Sequence, residues 1–241
     1  LNQMELIQGL SQKERPRILS VAAYPIITMG RLAAEFHNAH RQDNIEIKLV
    51  EQRLQNGMES VEGGHAEISF VMVNNAQLKE FRHMVNYKNL EFHLLGKDTW
   101  YLNVGPHSPV YDRKEVYMEE LLDASFVRLP DDYFSNLTHY LEIGGIHLGK
   151  IRRKLYVSDS AAILALLRQT DVIRFGPALS APDFAEYGIH SIPVRNSGVE
   201  ISVGWLQRKR ELLTPEAEEF VGLLKGLFPS PGAADPEPHP L

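Results

Sequence analysis

The spacing of hydrophobic and polar positions in residues 17–73 changes repeatedly, which predicts three strands separated by two helices. In chain order, these segments read RILSVAA (strand), PIITMGRLAAEFHNAH (helix), IEIKLVEQR (strand), LQNGMESVEGG (short helix) and AEISFVMV (strand). Parallel strands joined by helical crossovers bind ligands beyond their carboxyl ends. The pattern therefore predicts a binding crevice.

The second half of the chain repeats this alternation after an irregular stretch. NNAQLKEFRHMVNYKN predicts a loop or irregular helix, and LEFHLLGKDTWYLNVGP predicts two strands or one bent strand. Further helices and strands follow, in the order YMEELLDASFVRLP (helix, then strand), DYFSNLTHYLEIGG (helix ending at paired glycines), KIRRKLYV (strand), DSAAILALLRQ (helix), DVIRFGP, GIHSIPVR and GVEISVGWLQRK (strands) and TPEAEEFVGLLKGLF (helix). Asp159 and Thr214 are predicted N-caps, and Pro215 suits a first helical position.

These elements predict an α/β fold of two lobes, because each half of the chain carries its own α/β unit. The break at Gly105 and Pro106 marks the predicted boundary. We expect residues 17–105 with about 200–228 to form lobe I, and residues 106–199 to form lobe II.

Composition narrows the functional classes. The chain has 241 residues, of which 44% are hydrophobic, enough for one large domain or two small ones. It carries 25 basic and 31 acidic residues, a formal net charge of −6, without a concentrated basic surface. Proteins that bind DNA usually neutralise phosphates with such a surface. We therefore expect no direct DNA contact from this chain.

Several further classes of site and location are disfavoured. The chain has no cysteine, which excludes disulfides and zinc–thiolate sites. No apolar run reaches the length of a membrane span, and LNQMELIQGLSQKERP does not look like a secretory signal. We expect no membrane partner and a cytoplasmic location. The initial Leu1 suggests a piece of a longer protein, and residues 229–241 read as a Pro-rich tail.

The order of elements in residues 17–228 resembles the effector-binding domain of LysR-type transcription regulators. RILSVAAYPIITMGRLAAEFHNAH resembles the first strand and helix of that family, AEISFVMV its third strand, and LTPEAEEFVGLL its closing helix. The resemblance implies two Rossmann-like lobes joined by crossover strands, as in type 2 periplasmic-binding proteins. Residues 1–16 would then be the end of a linker helix, with a winged helix-turn-helix domain missing from this chain.

The same resemblance implies partners. DNA would be bound only through the missing N-terminal domain, and a small-molecule effector would bind between the lobes. The family domain forms side-by-side homodimers, and higher homo-oligomers in full-length proteins. The positions to inspect for that interface are Ile27, Leu32, Phe36 and Ile47, and burial in the core of one subunit is their alternative role.

The corner between the first strand and helix is the first candidate effector site. Ala23, Tyr24 and Pro25 occupy it, where the first helix amides lack intrahelical acceptors, and Thr28 follows one turn later. The family often has Ser or Thr at the start of this helix, where a hydroxyl and free amides hold an effector carboxylate. The alternative for Tyr24 is packing against a neighbouring loop.

The other candidate effector contacts follow later strands. They are Asn74, Asn75, His107, Asp131, Tyr133, Phe134, Ser158, Phe175 and Gly176. The alternatives are a turn for the Asn pair, a solvated loop for His107, and helix capping for the Asp residues before predicted helices. Arg174 and Phe175 stand where the family is usually rich in glycine, which predicts a pocket of different shape.

No enzyme motif is complete. GGIHLGK, residues 144–150, has P-loop glycine spacing, but Ile151 stands where Ser or Thr would bind magnesium. His37 and His40 have helical spacing without an evident third metal ligand. We expect no catalysis, metal or cofactor. The predicted function is an effector-sensing domain of a bacterial transcription regulator, and the alternatives are a solute-binding protein of a transport system and an enzyme on the same lobes.

Overall fold

The computed structural model describes residues 16–228, which fold around two five-stranded sheets. The strands are β1 (Arg17–Ala23), β2 (Ile45–Glu51), β3 (Ile68–Asn74), β4 (Leu90–Asp98), β5 (Trp100–Val104), β6 (Ser125–Arg128), β7 (Glu142–Ile143), β8 (Ile146–His147), β9 (Arg153–Tyr156), β10 (Ile173–Pro177), β11 (His190–Pro193) and β12 (Ile201–Arg208). The first sheet has the order β2-β1-β3-β12-β4, and the second has the order β11-β5-β10-β6-β9. This confirms the predicted α/β fold with two Rossmann-like lobes.

Seven α-helices lie in the described part of the chain, most of them between strands. They are α1 (Ile27–Ala39), α2 (Leu54–Glu62), α3 (Leu78–Tyr87), α4 (Tyr133–Thr138), α5 (Ser160–Gln169), α6 (Ala181–Ala185) and α7 (Pro215–Gly226). The predicted caps are confirmed, because Asp159 accepts a hydrogen bond from Ala162 N, and Thr214 accepts one from Ala217 N. A helix predicted over residues 132–145 is wrong beyond Thr138, where the chain forms the β7–β8 hairpin. Gly144 and Gly145 have positive φ at its turn.

In each sheet, three parallel strands point their carboxyl ends toward the other lobe. In lobe I these strands are β2, β1 and β3. In lobe II they are β10, β6 and β9. The strand β12 runs antiparallel to β3, and β5 runs antiparallel to β10. The gap between the lobes is therefore the place where the carboxyl ends of both parallel sets meet, as expected for a ligand site.

The chain first crosses between the sheets at Thr99, since β4 belongs to the first sheet and β5 to the second. This is earlier than the expected boundary at Gly105. The chain returns before β12, and the two passages touch, because Thr99 Oγ1 donates a hydrogen bond to Val199 O at 2.8 Å. Asp98 also accepts a hydrogen bond from Leu179 N at 3.0 Å, which adds lobe II backbone to the same place.

The hydrophobic core of lobe I is built around β3, all seven residues of which are buried. Helix α1 packs Leu32 and Phe36 into this core, and Phe36 meets Phe220 of α7 edge to face, at 6.0 Å between ring centroids. Of the positions considered for a dimer interface, Leu32 and Phe36 therefore take the alternative role in the core, whereas Ile27 and Ile47 are only half-buried.

Candidate functional site

A cleft lies between the two lobes, at the carboxyl ends of their parallel strands. The cleft contains a cavity of about 120 Å³. Both lobes contribute side chains, including Tyr24 and Asn74 from lobe I and Phe126 and Phe134 from lobe II. A molecule in this cleft would touch both lobes at once.

One wall of the cleft is aromatic. The rings of Trp100 and Phe175 are nearly parallel, with centroids 5.7 Å apart and planes 8° from each other. Phe126 packs beside Phe175 at 5.1 Å between ring centroids. These residues lie on neighbouring strands β5, β10 and β6, so the wall is fixed by the second sheet rather than by a loop. Flat aromatic surfaces of this kind favour flat, apolar ligand groups.

Three arginines and one aspartate also line the cleft. Arg53 of lobe I forms an ion pair with Asp132 of lobe II, at 2.9 Å between Nη2 and Oδ2, although the contact lacks hydrogen-bond geometry. Asp132 also caps α4 by accepting a hydrogen bond from Ser135 N at 2.7 Å. The negative charge of Asp132 is therefore already balanced by Arg53 and by the start of a helix.

The other two arginines form no ion pair within residues 16–228, and Glu51 is the acidic residue that acts electrostatically on Arg174. The side chain of Arg174 is buried, with the residue only 5% exposed, and Nη2 donates a hydrogen bond to Pro25 O at 3.3 Å. Burial lowers the pKa of Arg174, although a guanidinium keeps its proton in proteins. The Nη1 atom of Arg128 is also buried, without a hydrogen-bond partner in the described chain. Uncompensated buried cations are costly, which makes them good anion sites.

Tyr24 marks the point at which these charges converge. Burial raises the pKa of the Tyr24 hydroxyl, and the positive charge of Arg174 is the strongest effect that opposes this rise. Arg53 and Arg128 also lower the pKa of Tyr24, while Asp132 raises it. All four charged groups that line the cleft therefore act on one hydroxyl, so the electrostatic field there is predominantly positive.

Polar contacts join the lobes on one side of the cleft. Thr138 Oγ1 of α4 accepts hydrogen bonds from Asn74 Nδ2 and Gln77 Nε2, each at 3.1 Å. Gln77 Nε2 also donates to Phe134 O at 2.9 Å. Asn74 Oδ1 accepts from Ala76 N and thereby forms a turn, which is the alternative the sequence left open for the Asn pair.

A second inter-lobe contact, here called the Asp183 bridge, consists of Asp183, Thr28 and Arg31. Asp183 of α6 is buried and accepts hydrogen bonds from Thr28 Oγ1 at 2.6 Å and from Arg31 Nε at 2.5 Å, both on α1. Thr28 also pairs with Ser180 Oγ at 3.0 Å. The carboxylate is thus satisfied by two donors from the opposite lobe.

A third contact joins the end of β2 to the start of α5. Glu51 accepts a hydrogen bond from Ser160 N at 2.8 Å and a second from the hydroxyl of Ser160. The carboxylate lies at the positive end of the α5 dipole. With Arg53–Asp132 and the Asp183 bridge, this contact makes the lobes touch through charged groups at several separate places.

Four of the predicted site residues line the cleft: Tyr24, Asn74, Phe134 and Phe175. Their contact with an effector stays a prediction. The expectation for Thr28 needs correction, because its hydroxyl belongs to the Asp183 bridge and does not face the cleft.

His107 is exposed and away from the cleft, contrary to expectation. It follows β5, which runs antiparallel to β10, so the carboxyl end of β5 lies at the opposite edge of the sheet. The remaining predicted positions also do not line the cleft, either because they are buried in the fold or because they face solvent: Ala23, Pro25 and Gly176 are buried, and Asn75, Asp131, Tyr133 and Ser158 are exposed. Asp132 and Ser160, each one or two positions further on, make the inter-lobe contacts instead.

Most of the charged residues in the site were not among those predicted from the sequence. Arg53 and Arg128 stand directly at or after the ends of parallel strands β2 and β6, which is the signal that identifies them in retrospect. Gln77 and Trp100 were also missed, because one lies in a turn and the other begins an antiparallel strand. Arg174 was noted, but its lack of an ion-pair partner depends on packing between the lobes.

The unassigned motifs remain structural. His40 bonds to Asp43 and Glu219, and no three His, Cys, Asp or Glu side chains between residues 16 and 228 are placed to hold a metal ion. Residues 144–150 form a hairpin turn, a strand and a short 3₁₀ helix rather than a P-loop. Among helices of the described residues, none is both long and apolar enough to cross a membrane.

Comparison with protein families matches residues 13–229 to the LysR substrate binding domain. No curated protein matches the chain significantly. Among similar solved structures is the effector binding domain of QuiR in complex with shikimate, with a TM-score of 0.57 and 13% identity, covering 89% of this chain and 98% of that one. The regulatory domain of MetR from N. meningitidis matches with a TM-score of 0.56 and 13% identity over 87% and 93% of the two chains. Full-length CbnR complexed with target DNA has a TM-score of 0.57 and 17% identity, covering 88% of this chain and 68% of that one. These structures share the fold.

Proposed function

The chain belongs to the LysR substrate-binding domain family, and from this premise we propose that it binds a small-molecule effector in the cleft between its lobes. Binding then modulates DNA binding and transcription by the full-length regulator. The observation that carries the proposal is the cleft itself, which lies at the carboxyl ends of parallel strands and is lined by side chains from both lobes.

The proposed mechanism needs no chemical reaction. A ligand that contacts Tyr24 on one lobe and Phe175 on the other has a different affinity for different lobe arrangements. It therefore shifts the population toward the arrangement in which both contacts are made. The Arg53–Asp132 pair, which already spans the cleft, would favour the same arrangement. The effector site and the DNA-binding heads would be coupled through this change.

Partners follow from the same proposal. We assign DNA contact to an N-terminal domain outside this chain, in agreement with the net charge of −6, and a cytoplasmic location to the whole protein. We also assign a homodimer that uses α1 and β2. Within those elements, Ile27 and Ile47 remain the candidate contacts, since both are half-buried in the single subunit.

The family match favours a regulator over a solute-binding protein of a transport system. The family is regulatory and is not typically enzymatic. The genomic sequence immediately upstream separates these functions at little cost. An in-frame winged helix-turn-helix is the expected finding, and a secretory signal peptide there would contradict the regulatory function.

The location of the effector site is tested by a metabolite screen that includes neutral, cationic and anionic compounds. We expect at least one compound to raise the unfolding temperature of the wild-type chain, because it binds only the folded state. Leu129→Trp fills the cleft and should abolish that rise, since Leu129 lines it. Leu212→Trp is the control, because Leu212 is 95% exposed and away from the cleft. Equal rises in both variants would place the site elsewhere.

A further inference from the structure

Building on the proposed function of the cleft as the effector site, we propose that its ligand is a small organic acid with two separate anionic groups on a flat apolar body.

The charge balance of the lining residues indicates two negative charges. Among the residues that line the cleft, Arg53 is paired with Asp132, which leaves Arg128 and Arg174 as a surplus of two positive charges. Glu51 lies outside this lining and acts electrostatically on Arg174, but its carboxylate already accepts hydrogen bonds from Ser160 at the start of α5. Neither surplus guanidinium forms an ion pair with any residue in 16–228, and Nη1 of Arg128 has no hydrogen-bond partner there. Two anionic groups would balance the cleft, and carboxylates match the geometry of guanidinium donors.

The strand register indicates that these two groups are separate. Phe126 on β6 is paired with Ile173 on β10, so Arg174 lies beside Val127 and Arg128 lies beside Phe175. Side chains alternate between the two faces of a sheet. The two side chains therefore leave the sheet on opposite faces, although both line the same cleft and act on Tyr24. One carboxylate on each suits this arrangement better than a single anion between them.

The body of the ligand is set by the remaining walls. Trp100, Phe126 and Phe175 form a continuous aromatic surface beside Arg128. A flat ring or unsaturated chain would stack on this surface. Thr28 offers no hydroxyl for a carboxylate, because Asp183 and Ser180 occupy it. The arginines are therefore left as the anion donors.

A matched series of probes tests each part of the proposal. Phthalate, isophthalate and terephthalate are flat dianions with different charge separations, benzoate is a flat monoanion, terephthalamide is neutral, and inorganic phosphate lacks the flat body. At equal ionic strength, we expect at least one dicarboxylate to raise Tm by roughly 5 °C at about a hundredfold excess over its Kd. The others should give smaller or no increases.

Variants locate the effect. Arg128→Gln and Arg174→Gln should each weaken dicarboxylate binding about tenfold or more, because each removes a charged hydrogen-bond donor. Arg152→Gln is the control, since Arg152 is exposed and does not line the cleft. Calorimetric titration measures the affinities, and unfolding of the ligand-free variants verifies that each is folded. If one of the two arginine variants fails to fold, the other still tests the proposal.

The outcomes separate this inference from the proposed function. If terephthalamide stabilises the chain as strongly as terephthalate, the ligand need not be an anion. If benzoate acts as strongly as the dicarboxylates, the ligand does not need two charges. If phosphate acts as strongly as the dicarboxylates, the ligand does not need a flat body. Failure of every anion in the series overturns the inference, whereas the screen with Leu129→Trp still decides the effector site. Dicarboxylate binding that survives in Leu129→Trp instead contradicts the proposed location.

Discussion

Two regions between the lobes bury charge and handle it differently. In the Asp183 bridge, the carboxylate of Asp183 receives hydrogen bonds from Thr28 and Arg31, so the buried charge is fully compensated by the protein. In the cleft, Arg128 and Arg174 form no ion pair with any residue in 16–228, and Glu51 acts on Arg174 only from a distance. The charge of the first region is compensated within the protein, whereas the cleft keeps unpaired positive charge.

The difference between the two regions separates a structural role of buried charge from a binding role. A satisfied buried ion pair holds two surfaces together, and removal of one partner lowers stability. An unsatisfied buried cation lowers the stability of the ligand-free protein, and a fold retains it when binding needs it. The two regions should therefore respond to mutation with opposite signs.

The largest expected effect is at the Asp183 bridge. Asp183→Asn keeps the shape of the side chain but removes its charge, so the bonds from Thr28 and Arg31 weaken. We expect the free energy of unfolding to fall by about 2 kcal/mol, because Arg31 is 46% exposed and stays solvated after the change. Urea denaturation measures the loss. Asp171→Asn, at an exposed position, should change stability little. If Asp183→Asn and Asp171→Asn change the free energy of unfolding equally, the Asp183 bridge does not stabilise the fold.

A smaller effect of the opposite sign is expected in the cleft. Arg174→Met replaces a buried cation that has no ion-pair partner with an apolar side chain of similar length. We expect the ligand-free chain to become more stable by about 1 kcal/mol, since the cost of burying the charge is removed. Thermal and urea unfolding without ligand provide the measurement, with the exposed Arg152→Met as the control. A loss of stability would mean that the Arg174 bond to Pro25 is structural.

The smallest effect is expected where charges pair at the surface of a single lobe. Hydrogen bonds that His40 donates to Asp43, and then to Glu219, raise the pKa of His40 above its ordinary value of 6.5. The stabilisation is therefore full below about pH 6.5 and is lost as the pH rises through the raised pKa. We expect a shallow decline of Tm over that range, measured in buffers of equal ionic strength. His40→Gln should flatten it. A decline that persists in this variant would assign the pH dependence to other groups.

Much of the fold was predictable because hydrophobic periodicity is set by burial of one face. The run AEISFVMV predicted a buried strand, and β3 is buried at every position. Asp159 and Thr214 were identifiable because a cap uses only neighbouring residues. The crossing at Thr99 was not, since pairing of β4 and β5 with different sheets is decided by contacts distant in sequence.

The site was less predictable for the same physical reason. Tyr24 and Phe175 were identifiable because each lies at or near the carboxyl end of a parallel strand. His107 was misplaced because strand direction is not visible in a single sequence, and β5 runs antiparallel. The unpaired state of Arg128 depends on which side chains the opposite lobe brings near it, and no local pattern encodes that.

The contact between Thr99 and Val199 has a mechanical consequence. Both passages of the chain between the lobes meet there, so the hinge axis of a lobe opening would pass through this contact. The order of the first sheet places β2 at the edge farthest from β4 and this axis. Glu51, at the end of β2, accepts a hydrogen bond from Ser160 N of the other lobe. The contact between Glu51 and Ser160 is therefore far from the hinge axis, where even a weak bond gives a large torque against opening.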